Sequence, residues 1–153
     1  MYFCFSNFNM IQRIQSLYLL GASLLSGVLV LFTSFWLNSE GSLINFADFF
    51  ASNDFLLLIV GILFYSSSFL SFISIFLYQN RKKQLFLGRL NLTFNLLIIF
   101  ILIYYLQSLP GEISISVKGI GLFIPLISFG LILLSNSAIK RDEALVKSVD
   151  RLR

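Results

Sequence analysis

The sequence predicts an all-α membrane protein: four transmembrane helices in an up-down-up-down bundle, both termini in the cytoplasm, and a short amphipathic C-terminal helix. Three observations predict it. Of the 153 residues, 58% are hydrophobic and 12% are charged, whereas a soluble domain averages about 45–50% and about 25%. Four apolar runs, roughly 17–36, 55–78, 90–106 and 119–135, contain no Asp, Glu, Lys or Arg. Ten of the eleven basic residues lie on one side of those runs. Such a composition excludes both a water-soluble globule and intrinsic disorder.

A hydrocarbon core about 30 Å thick is crossed by about 17–25 helical residues, so each run is long enough. Backbone groups in lipid must bond within their own segment, which makes helices the only sensible reading. Barrel strands would show polar residues at every second position, and these runs do not. Arg13 before the first run gives it the outline of a signal peptide, but Thr33–Ser34–Phe35–Trp36 is too bulky for a small-residue cleavage site. The run therefore reads as an uncleaved anchor. Cys4 precedes it and cannot be a lipoprotein cysteine. Residues 1–9 read as an N-terminal extension or a start-site error, with Met10 opening the membrane domain at 10–137 and a cytoplasmic tail at 138–153.

Orientation follows from charge. Arg13, the group Arg81, Lys82, Lys83 and Arg89, and the tail residues Lys140, Arg141, Lys147, Arg151 and Arg153 share one side, with only Lys118 opposite. The positive-inside rule places that side in the cytoplasm. The expected location is a bacterial inner membrane, and the single cysteine is expected to stay a reduced thiol. A pI near 9.4 needs no nucleic-acid partner, because topology accounts for the basic residues.

The outer connection at 38–54 carries Leu43, Ile44, Phe46, Phe49 and Phe50, too apolar for a simple solvated loop. It is expected to lie at headgroup depth, with Asn53 or Asp54 capping the second helix. Leu109–Pro110–Gly111 signals a turn, and alternation through Ile113, Ile115 and Val117 suits a short extended segment. That segment could pair with the first outer loop as a lid, although an irregular loop is the favoured reading. In the tail, Asn136 or Ser137 is expected to cap a separate helix, with Glu143 and Lys147 as an i,i+4 pair.

Small and polar residues recur at helical spacing in every span, as association in lipid requires. The stripes are Ser16, Ser23, Gly27 and Ser34; Ser67, Ser71, Ser74 and Tyr78; Asn91, Asn95 and Tyr105; and Gly121, Pro125, Ser128 and Ser135. Pro125 is expected to kink or loosen the fourth helix. Asn91, Asn95, Ser67, Ser71, Ser23 and Ser128 form the candidate polar interior. For Asn95 a structural hydrogen bond is favoured over a ligand contact, since a carboxamide in a membrane needs a partner.

The missing chemistry is equally informative. With no His and one Cys, a disulfide framework, a quinone-linked thiol exchange and His-dependent hydrolysis have no residues to run on. Haem and zinc sites lack their usual ligands. No acidic pair lies in a span to relay protons, and no Gly-rich phosphate loop is present. The chain is expected to be non-enzymatic, with no cofactor and no metal.

Two end motifs carry a family resemblance. Met10–Ile11–Gln12–Arg13–Ile14–Gln15–Ser16–Leu17–Tyr18–Leu19–Leu20 resembles the opening of a family of Bacteroidota membrane proteins catalogued as a domain of unknown function, number 4293. The tail from Ala138 through Arg141, Asp142, Glu143 and Arg151 to Arg153 resembles that family's ending. The resemblance covers Met10 to Arg153 and implies a four-helix inner-membrane protein without implying an activity. Because both motifs lie at the cytoplasmic face, Gln12, Arg13, Arg141, Asp142, Glu143 and Arg151 form a candidate surface for lipid or a partner. The acidic tail residues are expected to pair with neighbouring bases or with Arg13.

The leading expectation is an accessory or protein-interaction module that sits in the lipid bilayer and binds a membrane or cytoplasmic protein. The alternative is a carrier or binding protein for a small neutral or lipidic molecule, built on Asn91 and Asn95. A polar cavity between spans would separate it from the first reading. An enzyme acting on lipid, with Arg81, Lys82 and Lys83 holding phosphate, lacks an acid-base pair. A stripe left exposed would allow a homo-oligomer.

Overall fold

The computed structural model describes residues 3–37, 42–108 and 119–151. Helix α1 spans Phe3–Gly27 and passes into a 3-10 turn at Leu29–Phe32. Strands β1 (Ser34–Leu37) and β2 (Leu43–Asn45) pair antiparallel, and α2 is a single turn at Asp48–Ala51. Helices α3 (Phe55–Phe76), α4 (Arg81–Ser108) and α5 (Ile124–Arg151) follow, with a 3-10 turn at Gly119–Phe123 leading into α5. Four helical segments, 14–32, 55–76, 81–107 and 119–144, are long and apolar enough to cross a membrane. Helix α1 packs on α3 and α5, and α4 packs on the same two, so the contacts close into a ring.

Several boundaries differ from expectation, each for a local reason. The first apolar run leaves the α-helix at Gly27, because β-branched Val28, Val30 and Thr33 follow and glycine already weakens the helix. The chain then becomes a strand, burying Phe35 and Trp36. Residues 3–9 are continuous with α1. No separate tail helix forms: Asn136 and Ser137 sit in the interior of α5, where no Gly or Pro interrupts the backbone ladder. Pro125 does not kink the fourth helix, because it falls in the first turn of α5, where an amide N–H would have no intrahelical acceptor. The bases Arg81, Lys82, Lys83 and Arg89 belong to the first turns of α4 rather than to a loop. The turn and extended segment expected between 109 and 117 lie outside the described residues.

The inward stripes follow the sequence on three helices. Ser67, Ser71 and Ser74 are buried on α3, Asn91 and Asn95 on α4, and Ser128 and Ser135 on α5. Tyr78, placed with the α3 stripe, is exposed. On α1 the buried face is Gln15, Leu19, Ala22 and Ser26. That face lies one residue out of step with Ser16 and Ser23, which are half-buried at its margin.

The described part of the first connection folds on itself, while the lid expected with 113–117 falls outside the described residues. β1 and β2 bring Phe35 and Trp36 over the helix ends, and Phe46 and Phe49 fill the space beneath. Phe46 is fully buried, with ring centroids 5.6 Å from Phe64 and 5.5 Å from Tyr65. Phe35 lies 4.7 Å from Phe49 and covers Gly121, where a Cβ would meet the Phe35 ring at 3.0 Å. Asp54 sits at the N-cap of α3, yet its carboxylate accepts a hydrogen bond from the Tyr105 hydroxyl instead of capping the helix. The four helices are thus closed at one end by an aromatic cap; the other end is rich in basic residues.

Candidate functional site

Two polar centres lie inside the ring of helices. The first joins α3 to α4. Ser67 donates to Asn91 Oδ1 at 2.6 Å, and Asn91 Nδ2 donates to the Ser67 carbonyl at 3.1 Å and to Ser71 Oγ at 2.7 Å. Asn95 Nδ2 donates to Ser67 Oγ at 2.9 Å and to the Asn91 carbonyl at 3.0 Å. Both amides are essentially inaccessible, and only Asn95 Oδ1 lacks a partner. Neither Asn91 nor Asn95 lines a cavity among those described. Four of the six residues expected in the polar interior, Ser67, Ser71, Asn91 and Asn95, therefore come together as a hydrogen-bonded tie between two helices.

Ser23 and Ser128 stand apart from it. Ser68 donates to the Ser23 carbonyl at 2.9 Å, joining α1 to α3 next to Gly27. An open groove beside this contact is floored by Ser23, Ser66 and Ser68 and walled by Tyr65, Phe69 and Phe72. Ser128 is buried with its hydroxyl unpartnered.

The second centre lies at the basic end. Asp142, only 2% exposed, accepts from Arg81 Nη2 at 3.0 Å, tying the last third of α5 to the start of α4. Asp142 is thus paired with a base on another helix, while the side chains of Arg13 and of the tail bases Lys147 and Arg151 lie outside the described residues. The geometry is monodentate: Arg81 Nη1 and Asp142 Oδ1 are buried without partners. Gln84 Nε2 donates to the Ser74 carbonyl at 3.1 Å, fastening the α3–α4 connection nearby. Gln15 and Asn136 are buried, with Gln15 Nε2 and both polar atoms of the Asn136 amide unpartnered. Asn136 rests on Gly88, which leaves no room for a Cβ.

Two cavities open here. One of about 350 Å³ lies between α1 and α5, lined by Ile14, Tyr18, Leu134, Ala138, Arg141 and Asp142. The other, about 100 Å³, lies between α4 and α5 and is lined by residues that include Arg89, Asn136 and Lys140. Arg141 is exposed and Glu143 half-buried with a polar partner, while the side chains of Gln12, Arg13 and Arg151 lie outside the described residues. Sequence reasoning missed Gln84 and Asn136 and the pairing of Arg81. The available signal was Asp142 itself, an acid about two turns beyond an apolar run and preceded by two bases.

Four candidate spans with hydrogen-bonded polar side chains between them define a multi-pass membrane protein. The family model described as "Domain of unknown function (DUF4293)" matches residues 11–152, and the chain belongs to that family. Neither a curated protein nor a solved structure matches it.

Proposed function

We propose that the protein is a non-enzymatic accessory module of a bacterial inner membrane, an up-down-up-down bundle that docks another protein at a cytoplasmic face formed by its basic end. The observation that carries this reading is the length of α5. Its 28 residues make a helix about 42 Å long, some 12 Å more than a hydrocarbon core of about 30 Å. The last turns of the helix carry exposed Lys140, Arg141 and Ala144 and continue through Arg151. Asp142 and Ile139, buried on the other side of the same turns, hold that extension against the bundle. A rigid, charged, anchored helix end loses little conformational entropy on docking. Positive-inside orientation places both termini in the cytoplasm.

A carrier built on Asn91 and Asn95 is the weaker reading, because those amides bond each other and Ser67. Deleting the tail from Ala138 is a poor test, since it also removes Ile139 and Asp142 from the core. The sharper test is charge reversal at exposed Lys140 together with Arg151, in protein tagged between β1 and β2 and purified at native level in mild detergent. A stoichiometric partner that is retained by wild type and lost from the Lys140→Glu/Arg151→Glu variant, at equal protein level, is the expected result. Recovery of the chain alone, as monomer or homodimer, would count against docking.

A further inference from the structure

Two exposed cations from different helices converge on the crevice between α4 and α5. Arg89 and Lys140 both line it, together with Ser137, and no acid does. Neither base makes an ion pair or a hydrogen bond among the described residues. The sequence puts them on facing stripes. Leu85, Arg89 and Leu92 stand at i, i+4 and i+7 on α4, and Leu133, Ser137 and Lys140 stand at the same spacing on α5. Arg89 is the more demanding of the two. It lies eight residues past Arg81, about 12 Å along α4, whereas a headgroup layer is about 5–7 Å deep. A guanidinium at that depth keeps its charge by reaching up to water or by meeting an anion.

The crevice has the shape for the anion. Its volume of about 100 Å³ equals about three waters at about 30 Å³ each, room for one phosphate group and not for a whole lipid. Leu92 and exposed Leu133 continue the lining toward the middle of the helices. Leu133 lies seven residues from Lys140, about 10 Å along α5, so the apolar end reaches past headgroup depth. We propose that this crevice binds one anionic phospholipid. Arg89 and Lys140 donate to its phosphate, and one acyl chain lies along Leu92 and Leu133. Phosphatidylglycerol brings a phosphate with no tethered cation. Phosphatidylethanolamine and phosphatidylcholine bring an ammonium that the two bases repel. Arg89 lies outside the docking pair Lys140 and Arg151, and lipid retention is read on purified protein without a partner, so the two readings fail separately.

The test is native mass spectrometry of the full-length protein in mild detergent, with the three lipids offered in turn at equal concentration. One phosphatidylglycerol is expected to be retained about tenfold better than either zwitterionic lipid. Arg89→Gln lowers that retention about fivefold, the factor that about 1 kcal/mol supplies, without lowering the melting temperature. Lys83→Gln removes an equally exposed charge from the same end but outside the crevice, and leaves retention unchanged. Ser137→Leu fills the crevice with both charges in place and abolishes retention. Equal retention of the three lipids, an equal loss from Lys83→Gln, or an unaffected, normally melting Ser137→Leu would each overturn the site. Displacement of the lipid by equimolar glycerol phosphate would overturn its assignment to a lipid.

Discussion

Asn91 and Asp142 show how differently two polar side chains can be tolerated in an apolar setting. Asn91 is surrounded by partners, accepting from Ser67 and donating to the Ser67 carbonyl and Ser71. Bonds of this type in membranes average about 0.6 kcal/mol, so Asn91→Leu is expected to cost about 1–2 kcal/mol in a steric-trapping unfolding measurement. Asn91→Leu and Ser67→Ala combined should cost less than their sum, because the two side chains share one network. Asp142 stands the other way. Its charge is buried against a single nitrogen of Arg81, and removing either partner leaves the other charge uncompensated. Asp142→Ala should cost about 3–5 kcal/mol, seen as a lower melting temperature in detergent, and Arg81→Met with Asp142→Leu should recover much of the loss. Asn136 makes no hydrogen bond through its buried amide. Asn136→Leu is therefore expected to leave the melting temperature unchanged or raise it. The Asn91 cluster was legible in advance because asparagines four apart in an apolar run share a face. The Arg81–Asp142 pair was not, because residues 61 positions apart meet only once the helices are packed.

Between elements, glycine controls how closely helices approach. A Cβ on Gly27 would collide with the Ser68 hydroxyl at the α1–α3 contact, whereas at Gly130 on α5 it would meet nothing within 4 Å. The pair makes a matched experiment. Gly27→Ala should lower stability by about 1 kcal/mol or more through overpacking, while Gly130→Ala should hold or raise it through helix propensity. Thermal melting in the same detergent checks both. The ends of α1 and α5 also explain why sequence patterns misplace boundaries. Hydropathy continues unbroken through Thr33–Trp36, so it registers apolar surface without distinguishing a lipid-facing helix from a strand folded into an aromatic core. Across Asn136 and Ser137 the reverse holds: residues with good capping chemistry stay helical because packing of Asn136 on Gly88 outweighs a local cap.

Taken together, the four spans, the aromatic cap and the basic end form a polarised molecule. The cap resembles a soluble core, with Phe35, Phe46, Phe49 and Phe64 fully buried. Phe46→Ala should cost about 3–5 kcal/mol and destabilise the cap before the spans, detectable as faster proteolysis between β1 and β2. Polarity predicts sidedness as well. With Cys4→Ser as background, a single cysteine at exposed Asn53 should react with a membrane-impermeant thiol reagent added to intact cells. One at exposed Lys82 should react only after permeabilisation. The reverse pattern would invert the proposed cytoplasmic face.

Composition and uninterrupted apolar runs determined the class, the number of spans and the polar faces of α3, α4 and α5, because those properties depend on which residues recur along one chain. The folding of the outer connection, the one-residue rotation of α1's buried face, the continuity of α5 and the Arg81–Asp142 pair were decided only in three dimensions. Each depends on what another helix presents at the point of contact: room for Phe35 over Gly121, the Ser68 hydroxyl against Gly27, a guanidinium opposite a carboxylate. Periodicity along a chain records which side chains avoid water or lipid, whereas the identity of the neighbour they meet is a property of packing.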